Sequence, residues 1–119
     1  MDEIKLGKVV LTNTSREMYP EIHLTKLDVI EYYLRIAPRI LTYLEERALV
    51  LQRFPDGVDR PGFYEKDAPA GTPPWVRLSL HHSKSADRDL RSVVCDNLDT
   101  LIWLANLAAI ELNIPLARL

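Results

Sequence analysis

The sequence predicts an α+β fold: a small, largely antiparallel sheet with three to four helices packed on it, in a single domain over residues 1–119. Apolar residues recur at helical spacing from Thr25 to about Arg47. From Leu49 to Cys95 the period shortens to that of strands broken by Pro- and Gly-rich turns, and from Asp96 it lengthens again.

Lys8 to Thr12 is a β-branched run that stops at Asn13, the pattern of a strand entering a turn. Residues 13–24 show no clean period around Pro20 and are expected to be that turn. Thr25 reads as a helix N-cap, with Asp28 three residues on in an acidic first turn. Leu27, Ile30, Tyr33, Leu34 and Ala37 follow at helical spacing, and Pro38 is expected to stop or kink that helix. A second helical stretch resumes there, carries Ile40, Leu41, Tyr43 and Leu44 on its stripe, and gives out near Arg47.

Leu49–Phe54 and Gly62–Lys66 read as two strands of a hairpin whose loop begins at Pro55-Asp56-Gly57. Val76, Leu78 and Leu80 alternate with Arg77, Ser79 and His81 as in a half-buried strand, and Arg91–Cys95 is a further short strand. Asp96 and Asp99 are expected to cap a final helix running to about Leu112. At about 100° per residue, Leu98, Leu101, Ala105, Ala108 and Leu112 share the face expected to pack on the sheet. Trp103, Leu107, Ile110 and Ile114 form a second apolar stripe, which predicts an interface with a second copy or another chain.

A net charge of −2 excludes a protein held to nucleic acid by bulk positive charge, so any such binding is local. Residues 51–91 alone have a basic excess, 7 against 6. The apolar run Leu101–Ile110 is broken by Asn106 and is too short to span a bilayer, and no secretory leader is apparent, so a cytoplasmic protein is expected. Cys95, the single cysteine, allows neither an intrachain disulfide nor a cysteine-based zinc cluster.

Asp87-Arg88-Asp89 has carboxylate spacing suited to two metals, yet it lies in a polar turn where Arg88 and Arg91 compete for the charge and no third carboxylate is near. His81 and His82 are strand neighbours facing opposite sides, poorly placed to chelate one ion. No metal, cofactor or catalytic residue is therefore assigned. Asn13 and Arg16 precede a helix that begins at Thr25 and Lys26, where free N–H groups, the helix dipole and two cations converge as an anion site. Arg53, Phe63, Tyr64 and Lys66 interleave cations with aromatics on the hairpin, a pattern that stacks bases while holding a backbone; at least one of the two aromatics is expected to point inward.

These residues fall inside the strings LTNTSREMYPEIHLTK (Leu11–Lys26), RFPDGVDRPGFYEKDAPAGTPPWV (Arg53–Val76) and DNLDTLIWLANLAAIEL (Asp96–Leu112). In collinear order they resemble the opening part of the polymerase domain of bacterial DNA ligase D and its stand-alone archaeal relatives, within the archaeo-eukaryotic primase superfamily. The resemblance implies a role in non-homologous end joining. It implies recognition of the 5′-phosphate of a recessed DNA end by Asn13, Arg16 and Lys26, with arginine replacing a lysine of the family and able to grip phosphate through two bonds. Contacts with DNA are implied for Arg53, Phe63 and Tyr64. DNA ends, the end-joining proteins Ku and ligase, or a separate catalytic polymerase half are the partners implied.

The sequence departs from the family at two further positions. A histidine near the nucleotide triphosphate corresponds to Asn113, which cannot become a cation, and a glycine before the Thr-Lys pair corresponds to His23, where the turn is expected to differ. The resemblance puts the metal-binding Asp-x-Asp beyond Leu119, so the expectation is a non-catalytic DNA-end-binding module. The alternatives are one half of a split polymerase, or an oligomerising structural remnant.

Overall fold

An N-terminal strand and the long first helix both pack against the helix at Leu98–Asn106. The computed structural model describes residues 4–44, 49–65, 67–83 and 88–113, with backbone alone at 81, 83 and 110–113. Strands β1 (Ile4–Leu6) and β2 (Val9–Leu11) form a hairpin, β3 (Glu17–Tyr19) pairs with β4 (Leu24–Thr25), and helix α1 follows over Lys26–Leu44. Then come β5 (Val50–Arg53), β6 (Phe63–Glu65), β7 (Arg77–Ser83), β8 (Arg88–Val94), helix α2 (Leu98–Asn106) and β9 (Ala109–Asn113).

Every pairing among the described residues is antiparallel, in the small sheets β1-β2, β3-β4, β6-β5-β9 and β7-β8. The α+β class with antiparallel strands holds. Several small sheets stand where one was expected, and the described residues hold two α-helices and a 3₁₀ turn at Pro20–Ile22. Gly7 makes the β1-β2 turn at φ +59, a conformation that favours glycine, and the Asp99 carboxylate, which accepts from the Lys8 N–H at 3.0 Å, occupies the place a Cβ would take.

Pro38 does not end the first helix. α1 runs through it because Pro38 lies on the exposed side, where water can satisfy the carbonyl that loses its partner. The supposed turn at 13–24 contains β3 and β4. His23, standing where the resemblance has glycine, adopts the left-handed backbone at φ 54, and its Nδ1 meets Glu17 Oε2. The turn therefore keeps a glycine-like conformation with a histidine in it.

α2 is shorter than its apolar run suggested. Asn97, rather than Asp96, is its N-cap, accepting from the Thr100 N–H at 2.9 Å, while Asp99 lies in the first turn. The helix ends at Asn106 because Ala108 turns left-handed at φ 61, and the chain leaves as β9 to pair with β5. The second apolar stripe is thus not one helical face. Trp103 is 8% exposed within the core, Leu107 packs on that core from the helix cap, Ile110 belongs to β9, and Ile114 lies outside the described residues. Leu98, assigned to the packed face, is 44% exposed.

The core joins Val29, Ile30, Tyr33 and Ala37 of α1 to Leu101, Leu104 and Ala105 of α2, with Leu51 and Val93 from the sheets. Burying each of the larger side chains stabilises by about 1.5–3 kcal/mol. Tyr33 crosses this core to donate to the Ala109 carbonyl at 2.8 Å, tying α1 to the strand that follows α2, and burial raises its hydroxyl pKa. Cys95 is buried, and its thiol is pushed up to about 12 by that burial, as suits a small apolar side chain. No helix among the described residues is long and apolar enough to cross a membrane.

Candidate nucleic-acid interface

The loop after β2 folds over the start of α1. Asn13 takes the left-handed conformation at φ 52 and its carbonyl accepts from the Arg16 N–H at 3.1 Å, which turns the chain back. The Arg16 and Thr14 carbonyls then accept from the Lys26 and Leu27 N–H groups at 2.8 and 3.0 Å. Thr25 and Asp28 complete a reciprocal cap: the Thr25 N–H donates to Asp28 Oδ2 at 2.8 Å, and the Asp28 N–H donates to Thr25 Oγ1 at 3.3 Å. The expected N-cap is present. Its consequence corrects another expectation, since the first amides of α1 are occupied by the loop and the cap and do not form an anion site of free N–H groups.

What the loop does bring together is side-chain charge. Asn13, Arg16, Lys26 and Arg53 line one cleft of about 180 Å³, with Thr12 and Asn106 among its other walls. That is room for a phosphate group with part of its hydration. Lys26 is 5% exposed, and its Nζ donates to the Thr12 carbonyl at 2.7 Å. No carboxylate pairs with it among the described residues. Burial first, then the nearby Arg16 and Arg53 cations, lowers its pKa to about 8.

The two arginines are anchored at the cleft's rim. Arg16 donates to the Pro55 carbonyl and lies 3.5 Å from Asp56 Oδ1. Arg53, on β5, donates from Nε to the Leu107 carbonyl at 3.0 Å and from Nη1 to Glu65 Oε1 at 2.7 Å. Its guanidinium also lies 5.1 Å from the centre of the Phe63 ring. Arg53 thereby joins two groups of residues that the sequence presents separately, the cations near the α1 start and the aromatics of the hairpin.

Phe63 and Tyr64 are 42% and 64% exposed, so neither points inward. β6 is a three-residue edge strand, and Phe63 lies against Arg53 rather than against the core. Lys66 lies outside the described residues.

Thr12, Asn106 and Glu65 are participants that sequence reasoning passed over. Asn106 Oδ1 accepts from the Thr12 N–H at 2.9 Å, holding the residue whose carbonyl holds Lys26. Its signal was the single polar residue interrupting an apolar run. Glu65 carried no such mark.

The doubtful carboxylate pair is only partly within view, since Asp87 lies outside the described residues. Asp89 meets His82 at 3.3 Å, and Arg88 pairs with Asp67 at 2.9 Å. Asp67 also accepts from the Arg91 N–H at 2.8 Å, and these two bonds hold its pKa below the usual value.

The family model described as the LigD primase-polymerase domain matches residues 25–119. The multifunctional non-homologous end joining protein LigD of Mycobacterium bovis is 33% identical over 109 residues, which cover 91% of this chain and 14% of that protein. The bifunctional non-homologous end joining protein LigD of Bacillus subtilis is 28% identical over 108 residues, covering 91% and 17%. Among solved structures, the polymerase domain of Mycobacterium tuberculosis ligase D in complex with DNA superposes with a TM-score of 0.88 at 32% identity, covering 93% of this chain and 38% of that one. The chain thus spans about one-seventh to one-sixth of the length of these curated relatives and under half of the solved domain.

Proposed function

The chain belongs to the LigD primase-polymerase domain family, and on that footing we propose that it recognises the 5′-phosphate of a recessed DNA end during non-homologous end joining. The observation that carries this reading is the cleft itself, in which a buried lysine without a carboxylate partner among the described residues faces two arginines. Repulsion among these cations favours an anion, and a terminal phosphate supplies two negative charges and three acceptor oxygens to a site of that size. The relatives' end-joining names and the solved domain's DNA complex agree with this choice of anion.

In this reading Lys26 supplies charge from the cleft floor, Arg16 and Arg53 grip from the rim, and Asn13 offers its amide. Phe63 and Tyr64, exposed beside Arg53, contact an unpaired base across the hairpin edge. The segment's part is recognition rather than nucleotidyl transfer, for which two-metal chemistry needs several carboxylates in one place.

Replacing Lys26 with Ala tests the assignment. Charge-assisted contacts are worth about 1.5–3 kcal/mol, so K26A is expected to weaken binding to a phosphorylated recessed end by roughly tenfold or more, with little change for the unphosphorylated end. Equal losses on both ends would contradict a phosphate role for Lys26.

A further inference from the structure

Arg53 lines the cleft and also lies against the aromatic edge, and its position is set by three contacts. Nε is held by the Leu107 carbonyl at 3.0 Å, Nη1 by Glu65 Oε1 at 2.7 Å, and the guanidinium lies 5.1 Å from the Phe63 ring centre. A guanidinium is planar, so two hydrogen bonds from different nitrogens fix both its place and its plane. The backbone carbonyl of Leu107 comes from the cap of α2, whereas Glu65 comes from β6, where Arg53 is paired with Phe63 and Leu51 with Glu65. Glu65 is therefore the side chain that ties the cleft's arginine to the strand carrying the aromatics. The ion pair is largely shielded, with the two side chains 20% and 23% exposed, so it is not a solvated surface pair of negligible strength.

We propose that Glu65 is a positioning residue which, by pinning Arg53 between the cleft and Phe63, couples anion binding in the cleft to binding of an unpaired base at the aromatic edge. The proposal rests on the end-recognition reading and adds a dependence between its two halves. A phosphate entering the cleft draws on the same guanidinium that Glu65 and Phe63 share. With Glu65 in place, an ordered Arg53 passes that demand to the ring. Without the carboxylate, Arg53 retains its bond to Leu107 and its strand pairing with Phe63, but one of the two hydrogen bonds that fix the guanidinium plane is gone, and the two surfaces act separately.

The test uses four duplexes, each end carrying a 5′-phosphate or a 5′-hydroxyl and being either blunt or recessed by an unpaired 3′ extension of the opposite strand, titrated against the 119-residue chain and its Glu65→Gln and Glu65→Asp variants. In the unsubstituted chain the phosphate and the extension together are expected to strengthen binding by at least about fivefold more than the product of their separate effects. E65Q should bring that excess close to one, and E65D, which keeps the charge on a shorter arm, should restore part of it. A purely structural role would lower all four affinities alike and leave the excess unchanged. An excess retained in E65Q, or a phosphate preference that simply multiplies with the extension in the unsubstituted chain, overturns this proposal alone. A chain indifferent to the phosphate overturns the end-recognition reading and this proposal with it.

Discussion

Lys26 donates its backbone N–H to the carbonyl oxygen of Arg16 at 2.8 Å, so two of the cleft's cations are tied through main chain rather than through flexible side chains. The bond is made possible by the left-handed Asn13, which turns the loop back over the helix start. Folding thereby brings like charges together before any ligand arrives. Each remains there because the surrounding contacts hold it, and an anion that enters meets a site already ordered.

The depressed Lys26 pKa of about 8 gives a pH signature. A terminal phosphate completes its second ionisation near pH 6, so above pH 7 the changing charge is on the lysine. Affinity for the phosphorylated end should be nearly flat around neutrality and fall above about pH 8, by up to about tenfold per pH unit, until the bound state's higher pKa is reached. Stability of the free protein moves the other way. The unfolded lysine, near 10.5, holds its proton where the folded one has lost it, so stability rises with pH between about 8 and 10.5. Anisotropy titrations and urea melts across this range, with K26A as the reference, check both signs.

Asn106→Ala removes the acceptor that holds the Thr12 N–H at 2.9 Å. A typical hydrogen bond contributes about 0.5–1.5 kcal/mol, and the denaturation midpoint should shift accordingly with little change in its slope. Because the Thr12 carbonyl holds Lys26 Nζ, the phosphate preference should also decline several-fold. A destabilised protein with an undiminished preference would show that Thr12 does not position the lysine.

Gly62→Ala puts a methyl group 2.5 Å from the Arg53 carbonyl and 2.7 Å from the Phe54 ring. Overpacking of this kind costs about 1–3 kcal/mol, and the strain falls on the β5-β6 pairing that presents Phe63. The variant is expected to melt earlier and to lose affinity for DNA bearing an unpaired extension more than for a blunt duplex. Melting curves and parallel titrations distinguish this from a general loss of fold.

Local chemistry was the part of the fold that could be read from sequence. The Thr25–Asp28 cap and the β5-β6 hairpin depend on near neighbours, as does the strand that follows Val76, although its alternation put Leu78 and Leu80 on a half-buried face and they are 39% and 68% exposed. Where distant contacts decide, the pattern misled. β3 and β4 are only three and two residues long and exist through their mutual pairing, and no glycine marks the left-handed Ala108 that ends α2. Asn106 alone interrupts the apolar run, so the change from helix to β9 leaves little trace in hydrophobicity. The same distinction runs through the site. Asn13, Arg16, Lys26 and Arg53 were legible as cations and an amide near turns, but the cleft they share depends on Arg53 reaching Leu107, 54 residues away.

The most direct test is a titration of the 119-residue chain against two duplexes with the same recessed end, one carrying a 5′-phosphate and one a 5′-hydroxyl, at about 50 and 200 mM salt. The phosphorylated end is expected to bind at least about tenfold more tightly at the lower salt, with affinity for it falling as salt rises. Equal affinity for the two ends would contradict the assignment of the cleft formed by Asn13, Arg16, Lys26 and Arg53 as a phosphate site.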